Sequence, residues 1–264
     1  MGPIMGRHQH ARRGITACGL LFCLLGCLMG ATPAPDVQFT DITQMAKIAF
    51  KHESSATSNK YLVETMGGGV ALLDYDNDGR LDVFFTNGAK IDDPMPDDKL
   101  PDKSDRKFWN RLYRQESDGT FSDVTEKAGL TGMPQNHYDM GVAVGDYDND
   151  GFEDIYVTGY GGNTLYHNNG NGTFTDVTKS AGVAAGGWSA SAGFFDYDND
   201  GKLDLFVTRY VNWTFKTNRY CGEKTPGYRA YCHPDNYEGV SNVLYHNNGD
   251  GTFSDVSEKA GIAN

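Results

Sequence analysis

The sequence predicts an all-β fold of repeated four-stranded antiparallel units, on three observations. An acidic hexapeptide, Asp-Tyr-Asp-Asn-Asp-Gly, recurs at residues 74–79, 146–151 and 196–201. A second unit, Leu-Tyr followed by a Gly-Thr-Phe turn and Asp-Val-Thr or Asp-Val-Ser, alternates with it each time. The 33 glycines and 15 tyrosines of the 264 residues are spread over short segments, with no long amphipathic helical stretch, which favours strands joined by tight turns.

Each strand follows from this alternation. Runs beginning at Gly69, Gly141 and Ala192 enter the acidic loops, and β-rich runs over 81–86, 154–158 and 203–208 leave them. A third strand ends in Leu112-Tyr113, Leu165-Tyr166 or Leu244-Tyr245. The fourth begins at Thr-Phe, after an Asp-Gly or Asn-Gly pair whose glycine supplies the positive φ of a tight hairpin. Four such strands in series make a blade, so the expected fold is a β-propeller of about three blades over residues 38–264. A β-sandwich also uses short strands but does not repeat a composite sequence this closely. Phe39-Thr-Asp-Ile-Thr43 copies a fourth strand with no first three before it, and reads as an orphan first strand. The chain then stops just after a fourth strand, so a C-terminally truncated piece of a larger ring is expected.

Blade spacing is uneven. From the first loop aspartate to the fourth-strand phenylalanine the distance is 28 residues in the middle blade, 47 in the first and 57 in the third. The extra residues fall between strands two and three, at the end of the blade opposite the acidic loops. One end is thus expected to bind metal and the other to display variable loops, either as a ligand surface or as tolerated insertions.

Upstream, Arg7, Arg12 and Arg13 precede an apolar run from Ile15 to Met29, a secretory leader over residues 1–31 with a linker over 32–37. Leu24-Leu25-Gly26-Cys27 resembles a lipoprotein processing site and small residues near Ala31 offer another cleavage point. Soluble and Cys27-anchored forms both remain open, with membrane attachment only through that lipid. Three of the five cysteines lie in the leader, leaving Cys221 and Cys232 to pair in an oxidising compartment. Without the leader's three arginines the chain has 20 basic and 35 acidic residues, a formal charge of −15, which excludes nucleic acid as a partner.

The surplus acid has a place to be neutralised. Asp74, Asp76 and Asp78, then Asp146, Asp148 and Asp150, then Asp196, Asp198 and Asp200 alternate ahead of a glycine, with a further acid at the ninth position: Asp82, Asp154 and Asp204. Calcium takes about six to eight hard oxygen ligands in flexible geometry, and a loop that turns back at its glycine converges such carboxylates. The seventh-position carbonyls of Arg80, Phe152 and Lys202 complete the expected set, giving three calcium sites. Position 12, where an EF-hand needs glutamate, is Phe85, Val157 or Val207, so the EF-hand is rejected.

Enzyme signatures are missing: there is no phosphate-binding glycine loop, zinc spacing or His-Glu-x-x-His. His167 and His246 recur at one blade position, where the first blade has Arg114, and are read as structural. His52 and Glu64, ahead of the first blade, are the one pair that supports a rival reading as a propeller-based hydrolase or lyase.

The acidic loops, each followed by an acid and a β run, resemble the FG-GAP or VCBS repeats of integrin-α-type propellers. Phe50-Lys-His52, Lys60-Tyr61, Glu64-Thr-Met-Gly-Gly-Gly69 and Tyr231-Cys232-His-Pro234 are similar to the exported cartilage-acidic-protein-like, ASPIC/UnbV-associated family. That resemblance implies a seven-bladed calcium-binding ring followed by a small C-terminal domain. The expected function is an exported binding or adhesion module for a protein or glycan ligand, not an enzyme; a purely structural repeat of a larger surface protein is the third reading.

Overall fold

The computed structural model describes residues 37–131 and 136–263; the leader, its cleavage points, Cys27 and nearly all of the linker lie outside them. Ile42 onward forms one compact unit, and the few described residues before it belong to a separate one.

Within the main unit the chain builds three four-stranded antiparallel sheets, the blades expected from the repeats. The first joins β1 (Val70–Leu73), β2 (Asp82–Phe85), β3 (Arg111–Gln115) and β4 (Phe121–Asp123) in sequential order. The second joins β5 (Tyr138–Gly145), β6 (Asp154–Tyr160), β7 (Thr164–Asn168) and β8 (Phe174–Asp176), followed by a one-turn helix α1 (Thr178–Ala181). The third uses β9 (Ser189–Phe195), β10 (Asp204–Arg209), β13 (Val243–Asn247) and β14 (Phe253–Asp255); between its middle strands lies a short hairpin, β11 (Cys221–Gly222) with β12 (Arg229–Ala230).

The recurring Asp-Val-Thr/Ser motif has a local cause. Asp123, Asp176 and Asp255 each accept a bond from the hydroxyl two residues on, and that hydroxyl of Thr125, Thr178 or Ser257 accepts the N–H of Leu112, Leu165 or Leu244 at 2.8–3.0 Å. The end of the fourth strand is thereby tied to the third without a ladder bond.

Adjacent blades share cores. Leu73, Phe84, Leu112 and Leu130 pack with Ile155, Val157 and Phe174, and Tyr156, Leu165 and Val183 with Leu205, Val207, Tyr245 and Phe253. Close approach of the first strands depends on glycine. A Cβ on Gly69 would stand 2.6 Å from the Met140 carbonyl, and one on Gly141 would stand 2.7 Å from that of Ala190.

Two expectations are corrected. Residues 37–42 carry no strand and residues 43–47 form a turn, so the orphan strand is not formed. Among the described residues each third strand already pairs with the fourth strand of its own blade, which leaves a lone fourth strand without an acceptor edge. The insertions, expected only as displayed loops, also bury part of their length. Ala89, Ile91 and Met95 from the first, and Val211, Trp213 and Phe215 from the third blade, pack with Tyr61, Tyr138, Tyr160 and Trp188 into one largely aromatic core. Cys221 and Cys232 form a disulfide that closes the second insertion, with Cα atoms 5.3 Å apart.

Candidate metal centres in the acidic loops

All three loops share one backbone. The residue before the last aspartate, Asn77, Asn149 or Asn199, is left-handed (φ 54°, 58° and 61°), as is the glycine after it. Asparagine and glycine tolerate this conformation best, which is why the Asn-Asp-Gly sequence recurs. The first aspartate caps the turn: Asp74, Asp146 and Asp196 each accept the N–H groups of the fifth and sixth loop positions at 2.8–3.1 Å. The third, Asp78, Asp150 or Asp200, accepts the N–H of Arg80, Phe152 or Lys202 at 2.9–3.0 Å.

The ninth-position acids open the second strands and are fully buried. Asp82 accepts from Tyr75 N and Gln115 N, Asp154 from Tyr147 N and Asn168 N, and Asp204 from Tyr197 N and Asn247 N, at 2.7–3.1 Å. Each therefore pins the acidic loop to the end of the third strand. Burial raises the Asp82 carboxyl to about 6 and that of Asp154 to about 7, against the lowering effect of these N–H donors. Burial and then the Asp150 charge also push Asp148 upward.

The loops differ in what surrounds these oxygens. In the second, ligand atoms of Asp146, Asp148 and Asp154, and of Asp148, Asp150 and His167, cluster within 4.8 Å of one another. In the third, Asp196, Asp198 and Asp200 cluster, as do Asp198, Asp204 and His246. His167 Nδ1 lies 3.3 Å from both Asp148 and Asp154, His246 Nδ1 3.5 Å from Asp198 and 3.2 Å from Asp204, and neither nitrogen has a hydrogen-bond partner. Hard carboxylate oxygens gathered beside an unpartnered buried nitrogen fit a divalent cation. In the first loop only Asp74, Asp76 and Asp78 cluster, and Arg114 from β3 donates to Asp76 and Asp78 at 2.6 Å each. That loop fits a divalent ion poorly.

A model of the FG-GAP-like repeat matches residues 74–157 and again 146–207, together just over half of the chain. The chain belongs to the FG-GAP-like repeat family. Each match starts at the first aspartate of an acidic loop and ends in the second strand of the next blade. No curated protein sequence matches the chain. Among solved structures it is similar to an Agrocybe aegerita lectin described as recognising non-reducing terminal N-acetylglucosamine, at 17% identity and a TM-score of 0.32. The match covers 71% of this chain and 36% of the lectin's, so the chain spans about a third of that protein's length.

The FG-GAP-like loops are also stapled across blades. Asn168 donates to the Tyr75 carbonyl at 2.8 Å and Asn247 to that of Tyr147 at 2.7 Å, while Asp74 N donates to Glu153 and Asn77 to the Gly151 carbonyl. His167 and His246, expected to be structural, have their rings beside the acids, and their recurrence in Leu-Tyr-His-Asn-Asn-Gly is the signal that marks them. Of the seventh-position residues, Arg80 pairs with Asp78, Lys202 with Asp200 at 2.5 Å, and Phe152 lies over Gly170.

The His52 and Glu64 pair is placed differently. Glu64 is buried, and its two oxygens accept from Thr57 N, Thr57 Oγ1, Tyr61 N and Tyr231 OH. His52 lies edge-on to Tyr138 with Nε2 buried and unpartnered. Neither lines the cleft of about 900 Å³ beside His137, Asn163 and Lys179.

Proposed function

We propose that the protein is an exported, calcium-binding propeller module that presents a binding surface to an extracytoplasmic protein or glycan ligand, and that it is not an enzyme. The observation that carries this is the in-register convergence of carboxylate oxygens in the second and third loops, each tied by backbone bonds to its own third strand. Calcium held there by Asp146, Asp148, Asp150 and Asp154, and by Asp196, Asp198, Asp200 and Asp204, with the carbonyls of Phe152 and Lys202, neutralises acids that otherwise repel one another. Because Asn168 and Asn247 carry each third strand to the neighbouring blade, the ion stiffens the contact between blades.

The disulfide supports an oxidising compartment, and among the described residues no helix is long and apolar enough to cross a membrane. On the opposite end of the blades the disulfide-bonded insertion exposes Tyr220, Tyr228 and Tyr231, with Arg229 over the Tyr220 ring and Lys60 over that of Tyr231. Aromatic rings with polar tips and adjacent cations suit ligand contact. The motifs around His52, Glu64 and Cys232 support a finer kinship with the cartilage-acidic-protein-like group. Saturation of Glu64 by four donors supports a structural rather than a general-base role for that acid.

Calorimetric melting with and without calcium tests the reading. At about 100-fold excess over the dissociation constant each site adds about 2.7 kcal/mol, so chelator should lower the melting temperature markedly and calcium should restore it. A melt that does not move with metal refutes it.

A further inference from the structure

All three loops carry the same hexapeptide, so spacing alone assigns them the same ion. We propose that the first loop instead uses the chain's own Arg114 as its cation and takes no divalent metal, so that the protein binds two ions and not three. This rests on the calcium reading of the other two loops and departs from it at one site.

Arg114, His167 and His246 occupy one position on the third strand, paired with Ser122, Thr175 and Ser254 of the fourth. In the second and third blades that position holds a compact imidazole. In the first it holds a guanidinium, which donates from Nε to Asp76 Oδ2 and from Nη2 to Asp78 Oδ2, both at 2.6 Å, and from Nη1 to Glu116 at 3.3 Å. Arg80 adds a second guanidinium on Asp78. An arginine cannot shed its charge in a protein, and its planar fork is geometrically matched to carboxylates, so it holds the oxygens a metal would need.

Charge balance runs the same way. Four aspartates face two fixed cations in the first loop, Lys202 alone in the third, and no lysine or arginine at the corresponding positions of the second. Asp82, unlike Asp154 and Asp204, does not join the convergent group. Asp76 Oδ1 is buried without a hydrogen-bond partner. The Oδ2 atoms of Asp76 and Asp78 beside it are held by Arg114, so it lacks the convergent neighbours that calcium's roughly six to eight oxygen ligands require. The first blade therefore keeps its loop closed whether or not calcium is present, and only the second and third loops respond to it.

Titration calorimetry of the chelator-stripped chain with calcium chloride alone tests this. The wild type should take two ions, Arg114→His should take three because it installs the residue the other blades use, and Asp148→Asn should lose one. Three ions in the wild type, or two in Arg114→His, overturns the inference while leaving calcium binding intact. No binding in either protein overturns the calcium reading and this inference together. Melting supplies an independent readout. Arg114→Ala in chelator should melt below the wild type and be restored by calcium, which then replaces the lost charge; a deficit that calcium does not restore counts against the inference. Should neither Arg114 variant fold, Asp76→Asn must still leave two ions, and a drop to one overturns the inference.

Discussion

Lys103 comes from the first insertion, yet it is 1% exposed and its ammonium makes three bonds: to the Asn87 carbonyl at 2.8 Å, Asn110 Oδ1 at 3.0 Å and Asp139 Oδ2 at 2.7 Å. Burial lowers its pKa and the Asp139 charge opposes that shift. Lys103→Met removes the cation and leaves Asp139 of β5 buried, with Asn110 as its one remaining donor in this network. Breaking a buried pair from one side costs about 3–5 kcal/mol. At about 2–4 °C per kcal/mol for a chain of this size, the melting temperature should fall by about 6–20 °C. Lys103→Met/Asp139→Asn should recover about 1–3 kcal/mol of the loss, because no uncompensated charge remains and only the Asn87 and Asn110 oxygens lose a donor, at about 1 kcal/mol each. Urea unfolding followed by tryptophan fluorescence is the assay, since Trp109 donates its indole N–H to the Lys103 carbonyl at 3.0 Å and reports on the same knot. A single-variant loss below about 1 kcal/mol, the range of an exposed ion pair, or a double variant no better than the single one, refutes the reasoning.

Other outcomes follow from the same geometry. Tyr231→Phe removes the 2.8 Å bond to buried Glu64 that joins the disulfide-bonded insertion to the segment before the first blade; it should cost about 1.5–3 kcal/mol, measured by urea unfolding, and speed proteolysis of that insertion. Burial first, and the Lys103 charge among further causes, lowers the pKa of both His52 and His137. The stability from keeping these rings neutral is full above the unfolded value of about 6.5 and is lost as pH falls through their lower folded values, so melting temperature should drop below that pH, less so in His52→Asn. Gly141→Val forces a Cβ to within 2.7 Å of the Ala190 carbonyl and 2.9 Å of Ser191 Cα, backbone that cannot yield, and should cost at least about 1–3 kcal/mol. Gly193→Ala, with nothing within 4 Å, should stay within about 0.5 kcal/mol and serves as the control in the same denaturation series.

Much of the fold could be read from the chain because its signals are local. The glycine of each Asp-Gly or Asn-Gly turn, the hydroxyl two residues past each fourth-strand aspartate, and the alternation around each acidic loop act over a few residues and repeat in register. The same short-range signal misled at Phe39-Thr-Asp-Ile-Thr43, which copies a fourth strand, because a strand exists only if another strand offers it an open edge. The insertions are expected to be displayed loops from their place between strands two and three, yet Lys103, Trp213 and Phe215 are buried, because packing partners such as Asp139, Tyr160 and Trp188 come from segments tens of residues away.

The sequence by itself determined the blades, the acidic loops that face one end of them and the pairing of Cys221 with Cys232, since each depends on neighbours in the chain or on there being only two candidates. Tertiary structure alone decided that identical hexapeptides have unlike surroundings. A loop's charge is set by whatever the third strand lays across it, a guanidinium from Arg114 in one blade and an imidazole from His167 or His246 in the others, and electrostatic interaction falls off with distance in space, not with separation along the chain.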